Sequence, residues 1–286
     1  MQYLTLNDGV KIPQVGFGTF LLPADGTAYR AVREALDAGY RHIDTAAAYF
    51  NEKEVGLAVK ESGLVREEVF ITSKLWLQDY GYEAARKGIE ASMRKLSVDY
   101  IDLYLLHQPY GDVEGAWRAL EEAKAEGRIR SIGVSNMTPF LYGKFVPGFE
   151  SAPSVNQVEF NPYFQQVPLR DLMKEDNVTL EGWAPLGQGS KALLNDPVIS
   201  EIARAHGRTS GEVILRFETQ EGAVILPKST NPERMRTNLH IFDFSLTEEE
   251  ISKMRQLDKG HGAYDPEAPG AAKRLLSAFD VHANDK

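Results

Sequence analysis

Side chains with chemical uses stand at the ends of the apolar segments in this chain that have the character of β-strands. The segments YRHID, VFITSK and YIDLYLLH end at Asp44, Lys74 and His107. Four later segments end at an amide, an aromatic or a basic residue: Asn136, Gln157, Trp183 and Lys228. Parallel strands that alternate with helices bring such ends together on one face of a barrel, where barrel enzymes carry out catalysis. The sequence therefore predicts an enzyme.

Asp44, Lys74 and His107, together with Tyr49 just after the segment YRHID, could move a proton. A phenol has an unperturbed pKa near ~10, too high for efficient proton exchange at neutral pH. The ammonium group of Lys74 would lower the pKa of Tyr49, and Asp44 would keep Lys74 charged in a poorly hydrated site. His107 would hydrogen-bond and orient a carbonyl oxygen. Each residue alone also fits a structural role, as a buried ion pair, a packed histidine or a loop aromatic.

Eight strands and the helices between them are needed to position these residues. Apolar runs predict strands at 15–18, 40–43, 69–73, 101–106, 129–134, 154–157, 178–183 and 222–226. Amphipathic stretches predict helices at 27–39, 82–96 and 113–126, with Gly39 and Gly127 at helix ends. With right-handed crossovers, this alternation predicts an α/β fold, a (β/α)8 TIM barrel.

Three segments fall outside the eight units. Asn7-Asp8-Gly9 predicts the turn of an N-terminal β-hairpin that could plug the amino end of the barrel. Residues 246–257 predict an extra helix with a capping box at Thr247 and Glu250. The tail from Gly260 is rich in Gly, Pro and Ala and predicts a C-terminal loop.

Composition favours one domain over residues 1–286 and excludes several classes of protein. The chain has 43% hydrophobic residues, no long apolar stretch and no signal-peptide pattern at its start. The absence of cysteine excludes disulfides and fits a cytoplasmic enzyme. A net charge of −9 argues against nucleic-acid or anionic-membrane partners. The six histidines lack metal-ligand spacing, so we expect no metal.

Several motifs carry a resemblance to a known family. The segments at 39–56, 117–136 and 225–234 resemble the three signatures of the aldo-keto reductases, and LLHQP (105–109) and APLGQG (184–189) agree with them. The chain is most similar to bacterial reductases of the 2,5-diketogluconate and methylglyoxal type. The resemblance implies a monomeric barrel that reduces small aldehydes and ketones with NADPH. No side chain donates hydride, so a nicotinamide must supply it.

The resemblance also implies roles for particular residues. Asp44, Tyr49, Lys74 and His107 would be the catalytic residues, and Phe20 and Trp76 would join Tyr49 and His107 in the substrate pocket. Ser135, Asn136 and Gln157 would hold the nicotinamide carboxamide, with Trp183 stacked on its ring. Lys228, Ser229, Thr230 and Arg234 would bind the 2′-phosphate. The remaining cofactor residues would be Gly18, Thr19, Asp44, Pro185, Leu186, Gln188, Gly189 and Asn238.

Two other functions remain open at this point. The chain could be a regulatory barrel that binds nicotinamide with little turnover, or an isomerase or lyase that uses Lys74 as a Schiff-base amine. The tail is open as well. Residues 262–279, with Leu275, Leu276 and Phe279 as apolar anchors, would either cover the mouth and shape the substrate site or form an ordinary terminus.

Overall fold

The computed structural model describes residues 1–283, which form a parallel eight-stranded barrel behind an N-terminal hairpin. The hairpin strands are β1 (Tyr3–Thr5) and β2 (Lys11–Pro13). The barrel strands are β3 (Phe17–Gly18), β4 (His42–Asp44), β5 (Phe70–Leu75), β6 (Ile101–Leu106), β7 (Ile129–Ser135), β8 (Val155–Glu159), β9 (Thr179–Trp183) and β10 (Val224–Ile225). A parallel bridge between Val15 and Ile225 joins the first strand to the last. The expected (β/α)8 barrel is confirmed.

Helices cover the outside of the barrel and add to the eight units. They are α1 (Thr27–Ala38), α2 (Glu52–Lys60), α3 (Tyr82–Leu96), α4 (Val113–Ala125), α5 (Pro139–Phe145), α6 (Val167–Glu175), α7 (Lys191–Leu194), α8 (Pro197–His206), α9 (Ser210–Gln220), α10 (Pro232–Leu239), α11 (Glu248–Arg255) and α12 (Ala271–Ala278). Gly39 and Gly127 have φ values of 107° and 74°, the left-handed conformation expected after a helix. Gly56 lets α2 approach α3 closely, because a Cβ there would lie 2.1 Å from Leu96 O. Within residues 1–283, no helix is both long and apolar enough to cross a membrane.

The hairpin closes the amino end of the barrel, as its position in the sequence predicted. Leu6 and Ile12 are buried against Phe70, Val155 and Val224, which lie near the first residues of their strands. Each such buried side chain stabilises the fold by about 1.5–3 kcal/mol. The hairpin therefore covers this end, and the predicted site residues lie at the opposite end.

The tail differs from the loop that its composition predicted, because it contains the helix α12. Leu275 and Phe279 pack against Trp76 and the alanines that precede Tyr49, so they are anchors as expected. Leu276 is 40% exposed, and its assignment as an anchor was wrong. Its neighbour Leu275 occupies the inward face of the same helical turn.

Candidate active site

The lysine at the end of β5 joins an aspartate and a tyrosine in the mouth of the barrel. Lys74 Nζ lies 2.7 Å from Asp44 Oδ1 and 3.2 Å from Tyr49 OH. Its third contact is with Thr45 O, at 3.0 Å. Lys74 is fully buried and Asp44 is 3% exposed, while Tyr49 is half-buried at the surface of the mouth. The ammonium group thus donates its three hydrogen bonds to one carboxylate, one carbonyl and one phenol.

A short 3-10 turn, Ala47–Tyr49, brings Tyr49 over Lys74. Asn51 connects the residues that flank this turn to the segment after β3, because its Oδ1 accepts a hydrogen bond from Thr45 Oγ1 and its Nδ2 donates to Thr19 O and Leu22 O. Asn51 is fully buried and was not among the residues predicted from the sequence. Its position two residues after Tyr49 was the only signal that could have indicated it.

Burial and charge set the protonation of these groups. Burial would lower the pKa of Lys74, but Asp44 and Tyr49 hold that pKa above its ordinary value. Burial raises the pKa of Tyr49, and Lys74 opposes this rise without overcoming it. The expected lowering by Lys74 is therefore present as one contribution, smaller than that of burial. At neutral pH the site holds a charged lysine and a neutral phenol.

His107, just after β6, faces Tyr49 and Trp76 in an aromatic wall. Its ring centroid lies 5.5 Å from that of Tyr49 and 5.1 Å from that of Trp76. Burial, followed by the charge of Lys74, lowers the pKa of His107 well below its usual range, so the imidazole is neutral. Its Nδ1 is buried without a hydrogen-bond partner among residues 1–283. The wall continues through Phe20, whose ring lies 5.0 Å from that of Tyr49.

The residues expected to hold a nicotinamide amide lie together beside this group. Gln157 Nε2 donates to Asp44 Oδ2 at 2.9 Å, and Ser135 Oγ donates to Gln157 O at 2.8 Å. Asn136, with a left-handed φ of 58°, donates to His107 O and accepts from Trp183 Nε1. Strand ends β4 to β9 are thus joined by hydrogen bonds into one surface.

The remaining predicted cofactor residues lie in loops around the same face. Thr19 Oγ1 donates to Asp44 O at 2.9 Å, and Gly18 ends β3. Pro185 is buried beyond β9, followed by Leu186, which is half-buried, and by Gln188 and Gly189, which are exposed. Asn238 is buried in α10.

A cationic cluster follows β10. Lys228, Ser229 and Thr230 precede α10, and Arg234 lies in its first turn. Within the described part of the chain, no carboxylate lies at ion-pair distance from Lys228 or Arg234, although many other basic side chains do have such partners. Unpaired cations beside hydroxyl groups suit a phosphate. The residues present therefore fit a phosphorylated nicotinamide cofactor.

The tail, whose apolar anchors the sequence predicted, is also held over the mouth by hydrogen bonds that the sequence did not predict. Glu159 Oε2 accepts hydrogen bonds from Ala263 N at 2.8 Å and Tyr264 N at 3.3 Å. Tyr264 OH donates to Gln108 Oε1 at 3.0 Å, next to His107. Trp76 Nε1 donates to Phe279 O at 2.9 Å. Glu159 lies two residues past Gln157, on the strand end that already indicated a functional residue.

Comparison with known proteins places this arrangement in a family. The model of the aldo/keto reductase family matches residues 14–259. An aldo-keto reductase of Mycolicibacterium smegmatis is 46% identical over 260 residues, covering 90% of this chain and 94% of the relative. A glyoxal reductase of Bacillus subtilis is 44% identical over 255 residues, covering 89% of this chain and 92% of the relative.

Solved structures of aldo-keto reductases have the same fold as this chain. An aldo-keto reductase from a deep-sea metagenome library superposes with a TM-score of 0.89 at 38% identity, covering 92% of this chain and 97% of the other. A Bombyx mori aldo-keto reductase in complex with NADP has a TM-score of 0.87 at 33% identity, with coverage of 95% and 98%. The chain belongs to the aldo/keto reductase family of oxidoreductases.

Proposed function

We propose that this protein reduces aldehydes or ketones to alcohols with NADPH, and that Tyr49 donates the proton. The observation that carries the proposal is the contact of one buried ammonium, Lys74, with both Asp44 and the half-buried phenol of Tyr49. Family membership supports the reaction class. The glyoxal reductase among the relatives supports dicarbonyls or small aldehydes as substrates, and sugar-type carbonyls stay part of the prediction from the sequence.

The reaction divides between the cofactor and the side chains. The nicotinamide supplies the hydride when it is bound. Tyr49 OH donates its proton to the carbonyl oxygen, and the phenolate that forms is stabilised by Lys74 Nζ at 3.2 Å. Asp44 keeps Lys74 charged and in place. His107, neutral in the aromatic wall, hydrogen-bonds the same carbonyl oxygen and orients it.

The protonation of Lys74 disfavours the Schiff-base alternative. A lysine that attacks a carbonyl must be uncharged, and such lysines have lowered pKa values. Here Asp44 and Tyr49 hold the pKa of Lys74 above its ordinary value. The same contacts suit a residue that stabilises a phenolate.

The cationic cluster supports NADPH over NADH, because only NADPH carries a 2′-phosphate. In this proposal Lys228, Ser229, Thr230 and Arg234 hold that phosphate. Ser135, Asn136 and Gln157 bind the carboxamide, and Trp183 stacks on the ring. The Bombyx mori relative was solved with NADP. We further propose that the protein acts as a monomer, as the family resemblance implies, and that it works in the cytoplasm, which the lack of cysteine fits.

The proposed reaction is tested with a panel of aldehydes, diketones and sugars. The initial rate of NADPH oxidation is recorded at 340 nm, and the alcohol product is identified by mass spectrometry. We expect several carbonyl compounds to be reduced with stoichiometric loss of NADPH. Binding of NADPH without reduction of any compound would instead support a regulatory barrel.

A further inference from the structure

A second carboxyl group lies inside the barrel, next to the catalytic residues but without a role in the reaction described above. Glu181 of β9 is fully buried, and β8 places Gln157 beside it in register. Gln157 Nε2 donates to Glu181 Oε2 at 3.1 Å and to Asp44 Oδ2 at 2.9 Å. One amide nitrogen therefore bridges the catalytic carboxylate and Glu181.

This bridge determines how the amide of Gln157 is oriented. An amide offers two N–H donors on one side and an acceptor oxygen on the other. Asp44 Oδ2 and Glu181 Oε2 lie on one side of the amide, and the nitrogen must face them, because the charge of Asp44 would repel the amide oxygen there. Gln157 Oε1 is then turned away from both, and no residue among 1–283 has a hydrogen bond to it. This oxygen is available to a donor in the mouth.

We propose that Glu181 is a positioning residue that orients the amide of Gln157, so that Nε2 holds Asp44 while Oε1 accepts a hydrogen bond from the nicotinamide carboxamide. The inference rests on the proposed function, since it needs a nicotinamide in the mouth. Neither Glu181 nor its contact with Gln157 was indicated by the sequence. Glu181 acts through Gln157 and touches no reacting atom.

The charges around Glu181 give this role a pH dependence. The titratable groups that face it are His42 and Asp44 of β4, Lys74 of β5 and Tyr49 above them. Burial, and then the charge of Asp44, raises the pKa of Glu181 to about 8. Burial lowers the pKa of His42 to about 3, so this imidazole is neutral. It lies 3.6 Å from Glu181 Oε1 but makes its hydrogen bond with Thr72 Oγ1.

At neutral pH, Glu181 is therefore uncharged and Lys74 serves as counterion for Asp44 alone. Glu181 Oε2 still accepts from Gln157 in that form, because the proton can lie on Oε1, which has no hydrogen-bond partner among the described residues. Ionisation near pH 8 adds a second negative charge next to Asp44, and the charge of Glu181 raises the pKa of Tyr49. The ion pair of Lys74 with Asp44 should then be disturbed as the pH rises.

The orientation is tested by binding, without turnover. Affinities of NADP+ and of 2′-phospho-ADP-ribose, which lacks the nicotinamide, are measured by tryptophan fluorescence for the parent, Glu181→Leu and Glu181→Gln. One lost hydrogen bond corresponds to about 2–10-fold in affinity. We expect Glu181→Leu to weaken the binding of NADP+ by that factor and to leave the affinity for 2′-phospho-ADP-ribose unchanged. Glu181→Gln should restore NADP+ binding, because its carbonyl can accept from Gln157.

Glu218 of α9 provides the matched control for pH. It is also fully buried, and burial raises its pKa well above its ordinary value. A carboxyl with a raised folded-state pKa stabilises the fold below its unfolded pKa, and this stability is lost as the pH rises. Both Glu181→Gln and Glu218→Gln should therefore flatten the decline of Tm with pH. Only Glu181→Gln should also remove a fall in kcat/KM near pH 8.

The outcomes separate the two proposals. If Glu181→Leu weakens the binding of NADP+ and of the fragment equally, Glu181 is only structural and the inference is wrong. The same conclusion follows if both Gln variants have the pH–rate profile of the parent. If the parent binds the fragment and NADP+ with equal affinity, the nicotinamide makes no contact in the mouth. That result would overturn the proposed function together with the inference.

Discussion

A polar cluster at the amino end of the barrel differs from the groups at the carboxyl end in how many of its atoms have partners. At the amino end, Asp8 Oδ2 accepts hydrogen bonds from Lys124 Nζ, Ser131 Oγ and Ser154 Oγ at 2.7, 2.7 and 2.9 Å. Burial raises the pKa of Asp8, but these hydrogen bonds outweigh it, so the pKa lies below its ordinary value. The acceptor capacity of Asp8 is used within the chain.

At the carboxyl end, one buried ring nitrogen and two exposed cations lack such partners within the described residues. His107 Nδ1 has no hydrogen-bond partner among residues 1–283. Within the same residues, no carboxylate lies at ion-pair distance from Lys228 or Arg234. Leaving a buried polar atom unsatisfied costs about 1–3 kcal/mol. The Asp8 cluster thus joins parts of the chain to one another, whereas His107 and the two cations keep atoms that are available to a ligand.

The largest difference should appear when Lys74 at the carboxyl end and Lys124 at the amino end are each replaced. Lys74→Met leaves Asp44 buried without its cation, which costs about 3–5 kcal/mol in the free energy of unfolding. It should also depress kcat and raise the apparent pKa that governs reduction, because the phenol of Tyr49 loses a charge that lowers its pKa. Lys124→Met, at a half-exposed pair, should cost about 1 kcal/mol or less and leave kinetics unchanged. Urea unfolding and pH–rate profiles measure both. A Lys74→Met profile superimposable on that of the parent would refute the coupling.

The cationic cluster gives the next effect in size. Replacing Lys228 and Arg234 by Gly should weaken NADPH binding at least tenfold and NADH binding far less, since charge-assisted hydrogen bonds contribute about 1.5–3 kcal/mol each. Replacing Arg128 by Gly is a control, because this arginine is already paired with Glu126. Affinities follow from quenching of tryptophan fluorescence. Equal weakening of both cofactors would show that the cluster does not bind the 2′-phosphate.

Truncation of the tail should have the smallest effect, and this effect should be restricted to the selectivity among substrates. Truncation after Lys259 removes the contacts of Leu275 and Phe279 with the wall around Trp76. We expect relative kcat/KM among substrates to change by a few-fold up to about tenfold, with NADPH affinity retained. Leu276→Ala, on the exposed side of α12, should change nothing. An unaltered order of substrates after truncation would make the tail an ordinary terminus.

Much of this was predictable from the sequence, for physical reasons. Parallel strands must lie with their ends on one face, so Asp44, Lys74 and His107 could be assigned to one site from apolar runs alone. The resemblance added the cofactor roles, which stay predictions here. Glu181 was not predictable, because an acid inside a strand looks like a surface residue until the register places it in the barrel. The contacts of Glu159 with the tail also depend on how distant loops meet.

The claim that the carboxyl end is a proton-donating site is tested most directly by removing one hydroxyl group. Tyr49→Phe is compared with Tyr3→Phe, whose tyrosine is exposed in the hairpin at the other end. The rate of carbonyl reduction and the affinity for NADPH are measured for both. We expect Tyr49→Phe to lose about 10²–10⁴-fold in rate with NADPH binding intact, and Tyr3→Phe to match the parent. Reduction by Tyr49→Phe at the parent rate would contradict the claim.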